Sequence, residues 1–245
     1  MKNRIYWITT LFLFLSISLH AKIKSGEEKT FPPIAMINHV EFTDSTFNNP
    51  IAGCSFLLDT GNEILAVTCK HSLWVAKSDT MKYINFEGTL KEWRMQRKDD
   101  STKYLITDKL LNENREELIG EQNVNKDFLV FTIKENHCDV TPVKLRKTKL
   151  TQGEELYLVG WSFADKTGPQ RIYKAKYFKS IESHILIEHA DNSNLAGMSG
   201  GAVLDKDGLL VGIVSNYTFD DATQKWYGSP CSTEYLLEVL KSRTK

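Results

Sequence analysis

Hydrophobic positions along this chain fall in runs of strand length, some unbroken and some alternating with polar residues, separated by turn-forming residues. Residues 52–58 form one apolar, β-prone run, Asp59-Thr60-Gly61-Asn62 forms a turn, and residues 64–68 form a second run. Together they predict a hairpin that delivers Cys69-Lys70-His71 at its far end. Upstream, residues 22–50 are polar and turn-rich around one apolar piece, residues 34–40, which reads as an edge strand behind Pro32-Pro33. Residues 77–125 are more polar. Within them 83–86 and 104–106 alternate like strands, while the charged stretches 91–103 and 112–121 read as solvated loops or hairpin tips.

Further on, Asp127 leads the continuous apolar run 128–133, a strand buried on both faces. A carboxylate at the mouth of such a strand needs a partner, because its desolvation is costly. Residues 155–161, 171–176 and 184–188 read as further strands, and two more apolar runs follow Gly197, joined by the turn Asp205-Lys206-Asp207-Gly208. Residues 233–243 place Tyr235, Leu236, Val239 and Leu240 on one face of a helix. Many short strands and one terminal helix predict an all-β protein of two barrel-like halves. Tyr157, Trp161, Tyr173 and Phe178, at strand spacing, are expected in the core.

The chain has 245 residues, 41% hydrophobic and 25% charged, enough for one large β domain or two small ones. Residues 1–21 differ in kind. Lys2 and Arg4 precede an apolar run over residues 5–19, and Ala21 is small, the layout of a secretory signal cleaved after Ala21. The run falls short of the roughly 20 apolar residues a membrane span needs, so an exported chain without a stable membrane anchor is expected. Loss of Lys2 and Arg4 would leave 29 basic against 31 acidic residues, which argues against a nucleic-acid partner.

Export makes disulfides chemically possible among Cys54, Cys69, Cys138 and Cys231. Cys54 and Cys69 sit near opposite ends of the predicted hairpin strands. A bridge there, worth about 3 kcal/mol in the chain-entropy model, and two buried thiols are both open, with Cys138 and Cys231 as the remaining pair. No Cys-x-x-Cys or Cys-x-x-His spacing occurs, so neither a metal nor a cofactor is expected.

The candidate chemistry lies in Gly197-Met198-Ser199-Gly200-Gly201. Glycines on both sides of one hydroxyl let the backbone curl until successive N–H groups point at one spot, as a developing oxyanion requires. His71 after a hairpin strand, Asp127 before a buried strand and Ser199 in a glycine turn occur in an order in which the acid-base-nucleophile triad recurs. His39, His137, His184 and His189 lack paired ligand spacing and read as surface or core histidines.

On these blocks the chain resembles the trypsin-like, chymotrypsin-like serine peptidases, nearer to the bacterial high-temperature-requirement type. Ile64-Leu65-Ala66-Val67-Thr68-Cys69-Lys70-His71 matches the strand leading to the family histidine, Asp127-Phe128-Leu129-Val130 its aspartate strand, and residues 197–203 with Gly212-Ile213-Val214-Ser215 its nucleophile block. The resemblance covers roughly residues 50–240. It implies two six-stranded antiparallel β-barrels, about residues 34–145 and 146–245, with the active site between them.

It also implies His71 as general base, Asp127 as its orienting acid, Ser199 as nucleophile, and the N–H groups of Gly197 and Ser199 as the oxyanion hole. Ser215, Asn216 and Tyr217 would offer a strand edge to an extended peptide, with Ser193 at the floor of the specificity pocket, Tyr217 on its wall and Met198 at its rim. A neutral floor and bulky wall predict small or medium apolar side chains rather than Lys or Arg. Cys69 and Lys70 stand where the family has small residues, and a lysine close to His71 would lower its pKa. The chain ends after the helix, so no appended peptide-binding domain is expected. The implied function is an exported serine endopeptidase acting on proteins or peptides, the alternative a peptidase-like module that binds peptides without cutting them.

Overall fold

The computed structural model describes residues 29–120, 126–190 and 194–242. Its first half holds β1 (Met36–Phe42), β2 (Cys54–Asp59), β3 (Ile64–Thr68), β4 (Tyr83–Ile84), β5 (Leu90–Gln96), β6 (Tyr104–Leu110), β7 (Asn114–Leu118), β8 (Leu129–Asn136) and β9 (Val143–Lys144). Six of these run antiparallel in the order β1-β5-β6-β8-β3-β2, and the β1–β2 pairing closes them into a barrel. β9 adds in parallel to β2, and β4 pairs with β7 outside the barrel.

The second half holds β10 (Glu155–Gly160), β11 (Arg171–Ile181), β12 (His184–His189), β13 (Ala202–Leu204), β14 (Leu210–Asp220), β15 (Lys225–Ser232) and the helix α1 (Glu234–Ser242). Its six strands close in the order β10-β11-β12-β15-β14-β13. The two six-stranded antiparallel barrels and the terminal helix are those implied by the resemblance.

Strands that read as unbroken apolar runs separate two cores. In β2, Leu57 points into the first barrel with Trp93, Met95 and Phe131, while Phe56 and Leu58 point into a second cluster with Val130, Trp161, Leu204 and Ile213. β8 divides in the same way, with Leu129 and Phe131 inward and Val130 outward, Phe128 just ahead of it joining Val130. Successive side chains of a strand face opposite ways, so burial of both faces requires apolar residues at every position. The second cluster joins the barrels, and Leu236 and Val239 of α1 cap it. Leu156, Leu158, Ile187 and Val203 fill the second barrel.

Three elements differ from the sequence expectation. β1 is no edge strand: it pairs with β5 on one side and β2 on the other, and the buried Asn38 amide donates to the carbonyls of Ala52 and Cys54. The charged stretch from residue 91 is largely β5, whose Trp93 and Met95 face the core while Lys91 and Arg94 face outward. Residues 112–121 include β7, and Asn112 is buried, its amide bonding Phe128 O at 2.7 Å and Val130 N at 3.0 Å.

Of the two alternatives left open for the cysteines, the structure has the thiols: all four cysteines are free. Cys54 Sγ faces the Trp161 backbone at 3.5 Å and Cys69 Sγ lies 3.0 Å from Ser72 Oγ. The chain leaves β3 after Thr68 into a 3-10 turn, and each sulfur is taken by a different partner. Cys138 lies at the periphery of the first barrel's core and Cys231 within the cluster between the barrels. The proposed signal, residues 1–21, lies outside the described residues, and among those described no helix is long and apolar enough to cross a membrane.

Candidate active site

β3 ends at Thr68 and the 3-10 turn Lys70–Trp74 swings His71 toward the start of β8. There Asp127 is only 3% exposed and accepts three hydrogen bonds. The His71 backbone N–H donates to Oδ1 at 2.9 Å, His71 Nδ1 lies 2.7 Å from Oδ2, and the Ser215 hydroxyl donates to Oδ2. A carboxylate accepts only, so Nδ1 carries the proton and Nε2 is left as the basic nitrogen. The partner that a buried carboxylate requires is therefore the imidazole of His71, and Ser215 ties it to the second barrel.

Burial would lower the His71 pKa, but the neighbouring Cys69 sulfur and the hydrogen bond to Asp127 outweigh it and raise it to about 11. Cys69 Sγ lies 3.7 Å from Nε2. The Lys70 ammonium is drawn to Glu117 Oε1 at 2.7 Å.

Ser199 sits between Gly197 and Gly200, at φ of 98° and 87°, the left-handed region that favours glycine. A Cβ at Gly200 would stand 2.1 Å from the Cys54 carbonyl oxygen, so the turn presses directly on β2. The Cys54 N–H donates to Ser199 O at 2.7 Å across the two barrels. Met198 N–H bonds Leu195 O, Gly200 N–H bonds Val214 O and Gly201 N–H bonds Met198 O. Among the described residues, neither the Gly197 nor the Ser199 N–H donates to a backbone carbonyl, so both remain for an anion. Met198, expected at the pocket rim, is fully buried with Leu156 and Leu158 behind the turn.

Ser199, Ser215, Asn216 and Tyr217 border a cavity of about 330 Å³ that extends to Leu195 and His189. Its described lining has no carboxylate, ammonium or guanidinium group. Ser193, expected at the floor, lies outside the described residues.

A trypsin-like peptidase domain model matches residues 53–213. The chain belongs to the trypsin-like peptidase family. No curated protein sequence matches the chain. Among solved structures it is similar to a serine endoprotease from Yersinia pestis, at 14% identity and a TM-score of 0.54 over 86% of this chain and 62% of that one. It thus spans less than two thirds of that relative. A thermostable serine protease from an extremophilic microorganism matches at 12% identity and a TM-score of 0.58, over 87% of this chain and 99% of that one. A protease from M. tuberculosis in its active form matches at 12% identity and 0.56, over 86% and 80%. At such identities these likenesses speak for the trypsin-like fold.

One residue of this site, His189, escaped sequence reasoning, and a second, named there only as a disulfide candidate and a departure from the family pattern, stands elsewhere than a bridge would put it. Of the four histidines set aside, His39 and His137 lie beside Glu41 and Glu135, and His184 is buried at the start of β12. His189 instead lines the cavity, its ring centroid 5.8 Å from that of Tyr217. Its place at the end of a strand next to the glycine-turn loop was the available signal. Cys69 was the other. Donor atoms of Cys69, His71 and Asp127 lie within 4.8 Å of one another, a set able to hold a soft divalent cation, and its Cys-x-His spacing matches none of the patterns sought.

Proposed function

We propose that this trypsin-like peptidase is an exported serine endopeptidase that cleaves peptide bonds through an acyl-enzyme. Ser199 Oγ attacks the scissile carbonyl while His71 Nε2 takes its proton. The proton then passes to the leaving amine, and water repeats the sequence on the ester. Asp127 holds the tautomer and stabilises the imidazolium, and the N–H groups of Gly197 and Ser199 receive the oxyanion, each such donor typically worth about 3 kcal/mol. The observation that carries this reading is the Asp127 carboxylate, which bonds His71 through both Nδ1 and the backbone N–H and Ser215 from the other barrel. Export rests on the sequence pattern of residues 1–21.

A second reading, a cleft that holds peptides without cutting them, draws on the Cys69 sulfur beside Nε2, where it competes for the base. Labelling with a fluorophosphonate separates the two. A peptidase is labelled at Ser199 and loses labelling in Ser199→Ala and His71→Ala, whereas a binding module stays unlabelled when folded.

A further inference from the structure

Cys69 and His71 stand two residues apart where β3 gives way to the 3-10 turn, and the turn folds their side chains onto each other, with Cys69 Sγ 3.7 Å from His71 Nε2. A metal ion bound by thiolate at about 2.3 Å and by imidazole at about 2.05 Å, with those two atoms 3.7 Å apart, subtends an angle of about 115°, close to tetrahedral. Both ligands already carry the outer partners that orient metal ligands. Asp127 Oδ2, 2.7 Å from Nδ1, fixes the tautomer whose lone pair lies on Nε2, and the buried Ser72 hydroxyl, 3.0 Å from Sγ, can donate to a thiolate. The charges also favour a cation. The Asp127 carboxylate lies within the same 4.8 Å group, while the ammonium of Lys70, next to both ligands in sequence, is held by Glu117. The imidazole side chain is 21% exposed and gives an ion its entry, with Cys69 fully buried behind it.

We propose that Cys69 Sγ and His71 Nε2 together bind a thiophilic divalent cation of the Zn2+ class, which takes the lone pair of the base and holds the enzyme in a reversible off state; the inference rests on the peptidase reading of His71 and Ser199. A thiolate beside an imidazole selects such an ion over Mg2+ or Ca2+, which prefer oxygen ligands. On binding, a sulfur–metal and a nitrogen–metal bond form, the S–H bond of Cys69 breaks, and its proton leaves to solvent without any change of oxidation state. Asp127 keeps its hydrogen bond to Nδ1 and serves as outer partner, and water fills the remaining positions. With its lone pair in the metal bond, Nε2 cannot accept the Ser199 proton, so acylation stops. Withdrawal of the ion returns the base.

Metal binding and its consequence are tested separately, with Cys138→Ala in every protein so that this half-buried thiol takes no part. On Ser199→Ala, calorimetry with Zn2+ and the ultraviolet thiolate-to-metal band with Cd2+ should show stoichiometric binding. Ser72→Ala, which loses only an outer partner, should weaken it about tenfold, and Cys69→Ala or His71→Ala, each of which loses a ligand, by more. With Ser199 intact, Zn2+ should slow fluorophosphonate labelling, a chelator should restore it, and Mg2+ should have no effect. Cys69→Ala should be labelled with Zn2+ present. If that variant does not fold, His71→Ala and Ser72→Ala decide the binding arm. Binding that is unchanged in Cys69→Ala or in His71→Ala overturns the proposal. So does Zn2+ that binds without slowing labelling, or that slows Cys69→Ala as much as the parent protein. A folded protein that binds Zn2+ through Cys69 and His71 but takes up no label in metal-free buffer supports the metal site and removes the peptidase reading instead.

Discussion

Replacing Glu117 by Gln tests whether the 3-10 turn that carries His71, the proposed base, is held by a buried ion pair. Lys70 directly precedes His71, and its ammonium lies 2.7 Å from Glu117 Oε1 with the two side chains 8% and 13% exposed. The ammonium also sits 5.2 Å from the centroid of the Tyr235 ring of α1. Gln keeps the shape and one acceptor oxygen but removes the charge, leaving a buried ammonium that only an amide and a ring oppose. Removing one partner of a buried pair costs about 3 kcal/mol, because the surviving charge stays desolvated. For a domain of this size each kcal/mol moves Tm by about 3 °C, so thermal unfolding followed by circular dichroism should fall by about 9 °C. The exposed neighbour Glu116, changed to Gln, should stay within about 0.5 kcal/mol of wild type. Lys70→Met combined with Glu117→Leu should recover most of the loss, since a well-packed apolar pair can replace a buried ionic one. A Glu117→Gln protein that melts within about 2 °C of wild type would refute the reasoning and mean that water solvates the pair.

Three other outcomes follow from the site. His71 must lose its proton to act as base and its pKa is raised, so the rising limb of kcat/KM with pH should lie above the ordinary imidazole value of about 6.5. Cys69→Ala removes one upward cause and should move that limb to lower pH; an unmoved limb contradicts the role given to the sulfur. Asp127→Asn should leave the fold intact and lower kcat by about 10⁴, since the amide favours the wrong imidazole tautomer, and a loss below about tenfold would deny Asp127 its orienting role. With no carboxylate in the described cavity lining, a peptide-library digest should show no preference for Lys or Arg before the scissile bond, and strict cleavage after basic residues would overturn that reading.

The parts of the fold legible in the sequence were those whose burial is local. β2, β3 and the first three residues of β8 are buried on both faces, so each stands out as an apolar run, and the candidate residues sit at their ends. The glycine turn was legible because its backbone requires Gly197 and Gly200. β5 was hidden, because a strand with one wet face rich in Lys, Glu and Arg has the composition of a loop until Trp93 and Met95 are placed inside. β15 was missed because its burial is set by contact with β12 and β14 far away in sequence. Position in space, which no local pattern encodes, also decided that the thiols of Cys54 and Cys69 turn to other partners and that Met198 faces inward.

The most direct test of the peptidase account is a fluorophosphonate reaction with the purified, folded protein, followed by peptide mapping of the adduct. The expected result is a single adduct on Ser199, abolished in Ser199→Ala and in His71→Ala. A folded wild-type protein that takes up no label, or takes it up equally without His71, contradicts the assignment of Ser199 as a nucleophile activated by His71 and Asp127.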